Sequence, residues 1–235
     1  MEKSVILITG GTSGFGKADA KLFCEKGETV IITGRREDTL AAAAAEIGCD
    51  SFRADVTSAE DWQALYDYIE GKYGRLDLLV NNAGCGVKIV PVDEQTKEDI
   101  DSAIAVNLNG TIYGCRQFVP MMKRQGSGTI INIASVCASH AWPGWSIYSA
   151  AKWGVLGFSK VLYTELRPLG IRVTCFVPAA GDTNFGVNAG LKIETPAMLK
   201  AQDVAEGIAG VYYLPKHVVV EEMTMWGIDQ EIVPL

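Results

Sequence analysis

The feature of this chain that most constrains its fold is a regular alternation of short apolar runs with helix-like segments. Runs rich in β-branched and other apolar residues predict strands at 5–9, 29–33, 50–55, 76–81, 129–135, 171–177 and 217–225. The periodicity of the intervening segments predicts helices at 14–26, 37–47, 58–73, 96–124, 148–168 and 201–213. Such alternation is typical of an α/β protein with a doubly wound, mostly parallel sheet of about seven strands and helices on both faces.

Composition indicates one domain and excludes several classes of partner. The chain has 235 residues, of which 48% are hydrophobic and 21% charged, so one sizeable core is expected in a single domain over 1–235. The formal net charge is −7 and there is no basic run, so neither nucleic acid nor an anionic membrane is an expected partner. No run approaches the roughly 20 apolar residues of a membrane span.

Cysteine usage favours a reducing compartment. The six cysteines are scattered and show no CxxC spacing, which is typical of reduced thiols in a cytoplasmic protein. The first residues enter a strand-like run at once and do not resemble a secretion signal. With only two histidines in the chain, no metal site is expected.

A glycine-rich turn follows the first predicted strand. In VILITGGTSGFG, Gly10, Gly14 and Gly16 come directly before the first predicted helix. Glycines permit a tight turn and a close approach of a diphosphate, while the helix start offers unpaired N–H groups and a positive dipole end. An ordinary strand–helix turn would also account for three glycines, but the strand–helix–strand setting favours a dinucleotide site.

A phenol and an amine lie one helical turn apart in SIYSAAKWG. Tyr148 and Lys152 are separated by four residues, roughly 6 Å of helical rise, so both side chains leave the same face. Such pairs are common on helix surfaces. A nearby ammonium also lowers the pKa of a phenol from its ordinary value near 10, as a general acid–base group requires.

These motifs occur in the order and spacing of one enzyme family. TGxxxGxG occupies residues 9–16, NNAG 81–84, the asparagine of AVNLNG is Asn107, Ser135 ends IINIAS, and YxxxK follows at 148–152. With them the chain resembles the short-chain dehydrogenase/reductase family over residues 9 to about 183. The resemblance implies a Rossmann fold, with a cofactor half at about 1–135 and a catalytic and substrate half at about 136–235.

The resemblance also implies a catalytic tetrad. Tyr148 is the expected general acid–base residue, and Lys152 is expected to lower its pKa and to bind the nicotinamide ribose. Ser135 is expected to hold the substrate oxygen, and Asn107 to orient Lys152 through water. The activity implied is hydride transfer between a nicotinamide and a carbonyl or secondary alcohol.

The arginines after the second predicted strand favour NADP(H) over NAD(H). In NAD-using proteins of this fold an acidic residue binds the ribose 2′-hydroxyl there. The resemblance implies that this acid would fall at Gly34, and Arg35 and Arg36 follow it. A guanidinium binds a 2′-phosphate through charge-assisted hydrogen bonds. Arg36 also suits a solvated helix start, so Arg35 is the stronger candidate.

The glycine turn, the arginines and the resemblance together define a set of cofactor-binding residues. Asp55 matches the acceptor for the adenine amino group, although it also suits a helix cap, and Val56 is expected to pack on the adenine. The full set is Gly10, Thr12, Ser13, Gly14, Phe15, Gly16, Arg35, Arg36, Asp55, Val56, Asn82, Ala83, Gly84, Tyr148, Lys152, Pro178 and Thr183.

Substrate contacts are predicted on either side of the tetrad, at Cys85, Trp142, Trp145, Ala179 and Phe185. The turn 177–183 departs from the family pattern, since Ala179 replaces the usual glycine and Gly181 an apolar residue. The weakly periodic segment 179–200 is the best candidate for a mobile loop over the site.

Several substrates and one other class of protein remain open. A likeness to compact NADP-linked members favours a small 3-hydroxy acid or related alcohol, while an acyl thioester, a polyol and a steroid remain alternatives. An NAD-dependent dehydrogenase and a catalytically silent cofactor-binding sensor are the competing functions. The resemblance further implies a homodimer or homotetramer formed through the segments 105–125 and 148–166, which are apolar on more than one face.

Overall fold

In the computed structural model, the seven strands among the described residues join one parallel sheet. The structure describes residues 3–183 and 198–231. The strands are β1 (Val5–Ile8), β2 (Thr29–Gly34), β3 (Asp50–Arg53), β4 (Leu78–Asn81), β5 (Gly128–Ile133), β6 (Ile171–Pro178) and β7 (Glu222–Met225). Their order across the sheet is β3-β2-β1-β4-β5-β6-β7, with every neighbouring pair parallel. The order reverses between β1 and β4, which makes this gap the topological switch point.

Helices connect the strands and cover both faces of the sheet. They are α1 (Gly14–Glu25), α2 (Glu37–Ile47), α3 (Ala59–Tyr73), α4 (Lys97–Ile104), α5 (Gly110–Gln125), α6 (Ser146–Leu166) and α7 (Ala201–Tyr212). Short 3₁₀ turns occur at Val92–Glu94, Val136–Ala138 and Arg167–Leu169. The predicted doubly wound α/β fold is therefore confirmed. The division into a cofactor half and a catalytic half stays a prediction.

Alternation along the strands sends side chains into two cores. Ile6 and Ile8 of β1 pack with Phe23 of α1 and Ile208 of α7 on one face. On the other face Leu7 packs in a cluster with side chains of α3, α5 and α6. Since successive strand residues point to opposite faces, a strand covered on both sides must be apolar throughout, which is why the strands stand out in the sequence.

Three predicted boundaries differ from the structure. The third strand ends at Arg53, because Asp55 leaves the ladder to accept hydrogen bonds from Thr57. The last strand is confined to Glu222–Met225. Residues 217–220, predicted as strand, are held by side chains of β6: Arg172 donates to Val218 O, and Thr174 donates to Val220 O.

The predicted single helix over 96–124 is the third difference. A π-helical segment, Ala105–Asn109, separates α4 from α5, and the N–H of Gly110 bonds to Ala105 O five residues back. Such a segment holds one extra residue in a turn and occurs often at functional sites. It turns the side chain of Asn107 into the protein, where the residue is fully buried.

The described residues contain neither a disulfide bond nor a helix that could span a membrane. All six cysteines are free, with Cys115, Cys137 and Cys175 buried and the other three half-buried. No described helix is long and apolar enough to cross a bilayer.

Asp19 of α1 is an unusual core residue. Its side chain is fully buried, and neither carboxylate oxygen has a hydrogen-bond partner among the described residues. Burial without a partner disfavours the charged form, so the pKa of Asp19 is raised well above its ordinary value. The unfolded chain ionises at a lower pH, so this residue destabilises the folded protein as pH rises above the unfolded pKa near 4.

Asp19→Asn is therefore expected to stabilise the protein at neutral pH, by about 1.4 kcal/mol for each unit by which the pKa of Asp19 in the folded protein exceeds its unfolded value, because the amide is uncharged in both states. The gain should be small near pH 4 and should grow as pH rises, because only the wild type has to keep a proton on this carboxyl. Urea unfolding at several pH values measures the difference. Asp67→Asn, at an exposed position of α3, is the control and should change stability by less than about 0.5 kcal/mol. Parallel stability–pH curves for wild type and Asp19→Asn would contradict this account.

Candidate active site

A cavity of about 1930 Å³ opens at the carboxyl ends of the strands. Most pockets for a single small molecule measure about 300–1,000 Å³, so this one has room for a long ligand together with a second molecule. Its lining includes every predicted cofactor and catalytic residue except Gly16. Of the predicted substrate contacts, Trp142, Trp145 and Ala179 line it, Cys85 does not, and Phe185 is outside the described residues.

The glycine turn is shaped by close contacts that exclude side chains. Gly10 has φ of +67°, and a Cβ there would lie 2.9 Å from Ala83 Cα. Gly14 has φ of +54°, and a Cβ at Gly16 would lie 2.4 Å from Asn82 Nδ2. Gly16 is thus needed for packing beneath the turn, while Gly10 and Gly14 give the backbone its conformation.

The start of α1 faces the cavity. Ser13 is the N-cap residue, yet its side chain makes no capping hydrogen bond and is exposed. The N–H groups in the first turn of a helix have no partner within the helix, and the dipole places partial positive charge there. This end of the cavity suits a diphosphate.

Thr9 and Asn82 fix the turn to the neighbouring strand end. Asn82 Nδ2 donates to Thr9 O at 2.8 Å and to Gly10 O at 3.2 Å. Thr9 Oγ1 accepts from the N–H groups of Asn82 and Ala83, both at 3.0 Å. Asn82 therefore supports the shape of the glycine turn as well as lining the cavity.

The departures in the turn 177–183 have a structural explanation. A Cβ at Gly181 would lie 2.3 Å from Phe15 Cζ, so the aromatic ring of Phe15 occupies the space that a side chain at 181 would need. Thr183 lies over the glycine turn, with Cγ2 3.3 Å from the position of a Cβ on Gly14. Ala179 is buried at the cavity wall, and its N–H bonds to Met225 O. The predicted mobile loop begins here, but 184–197 is outside the described residues.

Arg35 and Arg36 lie in the lining at the carboxyl end of β2. Both side chains are exposed, and neither has a hydrogen-bond or ion-pair partner among the described residues. A Cβ at Gly34 would lie 2.7 Å from Thr12 Cγ2, so the position where NAD-using proteins carry an acid is closed by Thr12. The positive charge of the two arginines, and the lack of space for a carboxylate at Gly34, suit a phosphate group better than a hydroxyl group.

Asp55 is not the cap of α3, since that role belongs to Ser58, whose hydroxyl accepts from Asp61 N. Asp55 Oδ1 accepts from both Thr57 N and Thr57 Oγ1, at 2.9 and 2.8 Å. Partial burial raises the pKa of Asp55, but these hydrogen bonds and the positive charge of Arg35 outweigh it, and the pKa is lowered overall. The carboxylate is thus charged and fixed beside the cavity.

Ser135, Tyr148 and Lys152 converge at the other end of the cavity. Ser135 follows β5, and Tyr148 and Lys152 lie one turn apart on α6, as predicted. Lys152 Nζ lies 5.6 Å from the centroid of the Tyr148 ring and donates to Ile133 O at 2.9 Å. Tyr148 and Lys152 are only 7% and 4% exposed. This arrangement fixes an ammonium beneath a phenol whose hydroxyl faces a hydrogen-bond partner in Ser135.

Burial controls the acidity of both groups. It raises the pKa of Tyr148 above its ordinary value, and the hydrogen bond with Ser135 only partly opposes this. It lowers the pKa of Lys152 to about 8, so the ammonium form still dominates at neutral pH. The expectation that Lys152 lowers the pKa of Tyr148 stays a prediction, but within the protein alone desolvation of the phenol is the largest effect and the pKa is raised overall.

Asn107 is held by the segment that follows β4. Its Oδ1 accepts from Cys85 N at 3.2 Å, and its Nδ2 donates to Ala103 O at 3.0 Å. Nδ2 also contacts Cys85 O and Sγ, at 3.3 and 3.4 Å. Cys85 therefore lies behind Asn107 as a support, which is why it is absent from the described cavity lining. The link from Asn107 to Lys152 through water stays a prediction.

Sequence reasoning missed several residues of the lining. Cys137 lies two residues beyond Ser135, and Trp226 and Gln230 follow β7. Gln230 Nε2 donates to Ala180 O at 2.7 Å and ties this final segment to the turn after β6. The signal was available for Trp226, since ligands of parallel sheets bind at the carboxyl ends of strands and this residue directly follows one.

The residues present fit a dinucleotide. The glycine turn excludes Cβ atoms where a diphosphate would approach, and the helix start offers N–H groups. Arg35 and Arg36, which have no side-chain partner among the described residues, lie after β2. The tetrad residues line the opposite end of the same cavity. Fold and site together define an α/β protein with a cavity that a dinucleotide would fit, lined at one end by a phenol, a hydroxyl and an amine.

Comparison with known proteins gives the family. The family model described as short chain dehydrogenase matches residues 4–193, and the chain belongs to this family. It is 33% identical over 242 residues to the NADP-dependent 3-hydroxy acid dehydrogenase YdfG of Salmonella typhi, covering 98% of each chain. Membership makes the chain an oxidoreductase of that family, as the motifs predicted.

Two solved structures are also similar. The closed form of a serine dehydrogenase complexed with NADP⁺ superposes with a TM-score of 0.93, at 31% identity and 98% coverage of both chains. The 3-ketoacyl-(acyl-carrier-protein) reductase of Brucella melitensis, complexed with NADH, has a TM-score of 0.90 at 31% identity, with 97% of this chain and 98% of that chain covered. Relatives of equal identity thus include complexes with both nicotinamide cofactors.

Proposed function

We propose that this protein is an NADP(H)-dependent oxidoreductase that transfers a hydride between the nicotinamide and a carbonyl or secondary alcohol. The observation that carries the proposal is the convergence of Ser135, Tyr148 and Lys152 in the same cavity as the glycine turn and Arg35. Among the described residues of this cavity, no other buried phenol lies beside an ammonium.

The cofactor would be held along the whole cavity. The backbone of the glycine turn and the hydroxyl groups of Thr12 and Ser13 would bind the diphosphate, and Arg35 and Arg36 the 2′-phosphate. Val56, Asp55, Asn82, Ala83, Gly84, Pro178 and Thr183 would form the remaining walls, with Phe15 packed behind them. When bound, such a cofactor supplies the hydride for a carbonyl carbon or accepts it from an alcohol.

Within the chain, proton transfer falls to Tyr148. In the reducing direction its hydroxyl donates a proton to the carbonyl oxygen as that oxygen gains negative charge, and Ser135 donates a hydrogen bond to the same oxygen. Lys152, protonated below about pH 8, stabilises the phenolate that remains. Asn107 would connect Lys152 to solvent through water, which returns the proton. In the oxidising direction each proton moves the opposite way.

The substrate is a separate question. The Salmonella relative is named for 3-hydroxy acids, which supports a small 3-hydroxy acid as one candidate. The cations among the described lining residues are Arg35, Arg36 and Lys152. The arginines lie at the far end and Lys152 is bonded to Ile133 O, so we propose the activity at the level of a carbonyl or secondary alcohol.

Hydride transfer is the test of this proposal. The purified protein is mixed with NADPH and a panel of ketones, or with NADP⁺ and secondary alcohols, and the reduced-nicotinamide absorbance is followed. Turnover with at least one carbonyl or alcohol, faster with NADPH than with NADH, is the expected result. Tight NADPH binding without turnover of any substrate would favour a silent cofactor-binding sensor instead.

We further propose that the chain forms a homodimer or homotetramer and works in the cytoplasm, for which its six free thiols are support. Trp153 and Val161 of α6 are 51% and 58% exposed, and Gly157 lies between them on the same helical face. A Cβ at Gly157 would meet nothing within 4 Å, so this face is open to another helix. An apolar stripe of this kind suits a second copy of α6.

Val161→Glu is expected to shift the protein toward the monomer, because it places a charge at one end of that apolar stripe. Light scattering coupled to gel filtration measures the mass. Val92→Glu is the matched control, since Val92 is 61% exposed but lies in the 3₁₀ turn Val92–Glu94, away from the helix face. An unchanged mass for Val161→Glu would place the interface elsewhere or exclude it.

A further inference from the structure

We infer that the substrate end of this cavity takes an uncharged carbonyl compound bearing an aromatic group, rather than the carboxylate of a hydroxy acid. The inference rests on the proposed function for the position of the reacting carbonyl, next to Ser135 and Tyr148. It follows from the indoles that line this end and from the distribution of charge among the described lining residues.

Three tryptophans form the wall around the reacting end. The ring of Trp145 meets the ring of Tyr148 edge-on, with centroids 5.5 Å apart and planes at 65°. The rings of Trp142 and Trp226 both contact the ring of His140, at centroid distances of 6.1 and 5.3 Å. All three indoles are only half-buried and line the cavity. Their remaining apolar surface is therefore available to a ligand, and aromatic rings prefer such edge and offset contacts.

The surroundings of Tyr148 are apolar as well. It belongs to a cluster with Val87, Ala103 and Cys137, against which the two nearer indoles and Ile89 pack. At Gly144, between those indoles, a Cβ would lie 3.0 Å from Ile89 Cγ2, so the indole-bearing turn is packed onto this segment and held in place. A rigid apolar wall of this kind favours a flat apolar group over a hydrated one.

Charge at this end opposes an anion. Of the cations in the described lining, only Lys152 lies on the helix that carries Tyr148, and its Nζ is already bonded to Ile133 O. The exposed carboxylates of Asp182, Asp229 and Glu231 belong to the same lining. A substrate carboxylate would enter without a cationic partner and past groups of like charge, and burying an unpaired charge is costly.

Matched pairs of substrates test the inference. Methyl 4-acetylbenzoate and 4-acetylbenzoate share the same aryl ketone and differ in charge, and methyl 3-hydroxybutyrate and 3-hydroxybutyrate do the same in the oxidising direction. For the protein with NADPH or NADP⁺, kcat/KM is expected to be at least about tenfold higher for each ester than for its acid. Equal or faster turnover of the acids would overturn the inference and leave the proposed function standing.

A variant tests the contact with the indole. Trp145→Ala should lower kcat/KM for methyl 4-acetylbenzoate by about tenfold, mainly through KM, and change that for the small ketone methyl acetoacetate much less. Trp145→Phe should restore most of the loss because it keeps an aromatic ring. Equal losses on both ketones would mean that Trp145 acts only by positioning Tyr148, and would overturn its role in substrate recognition.

A binding measurement separates failure of the inference from failure of the proposed function. Tyr148→Phe protein saturated with NADPH is titrated with methyl 4-acetylbenzoate and with 4-acetylbenzoate in a calorimeter. Tighter binding of the ester supports the inference even where wild type turns over no carbonyl, a result that would refute the proposed function alone. Tighter or equal binding of the acid refutes the inference.

Discussion

Tyr148→Phe is expected to lower kcat by about 10²–10⁴-fold while leaving the affinity for NADPH within about threefold of wild type. The substitution removes only the hydroxyl, so the ring keeps its edge contact with Trp145 and its position over Lys152. Under the proposed function, this hydroxyl is the group that exchanges a proton with the substrate oxygen. Steady-state rates measure the first quantity and fluorescence titration with NADPH the second.

Tyr163→Phe is the matched control for this experiment. Tyr163 lies on the same helix, and its hydroxyl accepts only a long contact from Arg167 at 3.4 Å among the described hydrogen bonds. The residue is not among those lining the cavity. Its loss should leave kcat unchanged. Equal turnover by wild type and Tyr148→Phe would show that another group supplies the proton.

Arg35→Ala has the second large expected effect, a rise in KM for NADPH of about 10–100-fold with little change for NADH. A charge-assisted hydrogen bond is worth about 1.5–3 kcal/mol, and each 1.4 kcal/mol is tenfold in affinity. NADH has no 2′-phosphate and so loses nothing when the guanidinium is removed. Because Arg35 has no partner among the described residues, the variant breaks no contact that holds the fold.

Two further variants, Arg35→Lys and Arg124→Ala, serve as comparisons for Arg35→Ala. Lysine keeps the charge but not the planar fork, so Arg35→Lys is expected to fall between wild type and Arg35→Ala for NADPH. Arg124 is exposed, pairs with Glu70 and is not part of the cavity lining, so Arg124→Ala should behave as wild type with both cofactors. If NADPH and NADH lost equal affinity in Arg35→Ala, the 2′-phosphate assignment would be wrong.

The fold was predictable because each strand carries its own signal. Strands covered on both faces must be apolar throughout, as Leu7 and Ile8 illustrate. In the helices between them, apolar residues recur with the helical period instead. The limits of β7 were not predictable in this way. Val218–Val220 look like strand residues, but side chains from β6 take their hydrogen bonds, and such non-local contacts leave no trace in a local pattern.

The order of site residues was predictable because the family motifs have fixed spacing, whereas their surroundings were not. Nothing in AVNLNG signals a π-helical turn, yet that turn directs Asn107 toward Cys85. The net rise in the pKa of Tyr148 within the protein alone was also not predictable, because it depends on how completely the fold buries the phenol. The burial of Asp19 was not predictable either, since a single acidic residue in a helix ordinarily faces water.

The contact between Phe15 and Gly181 joins the start of α1 to the turn that follows β6. A methyl group at 181 fits only where the ring at 15 has moved or has been replaced by a smaller side chain, so position 181 cannot change before position 15. A redesign that places a side chain at 181 must therefore first change the residue at 15. The same contact predicts a correlation among relatives: those that carry an aromatic residue at the position of Phe15 should carry glycine at the position of Gly181.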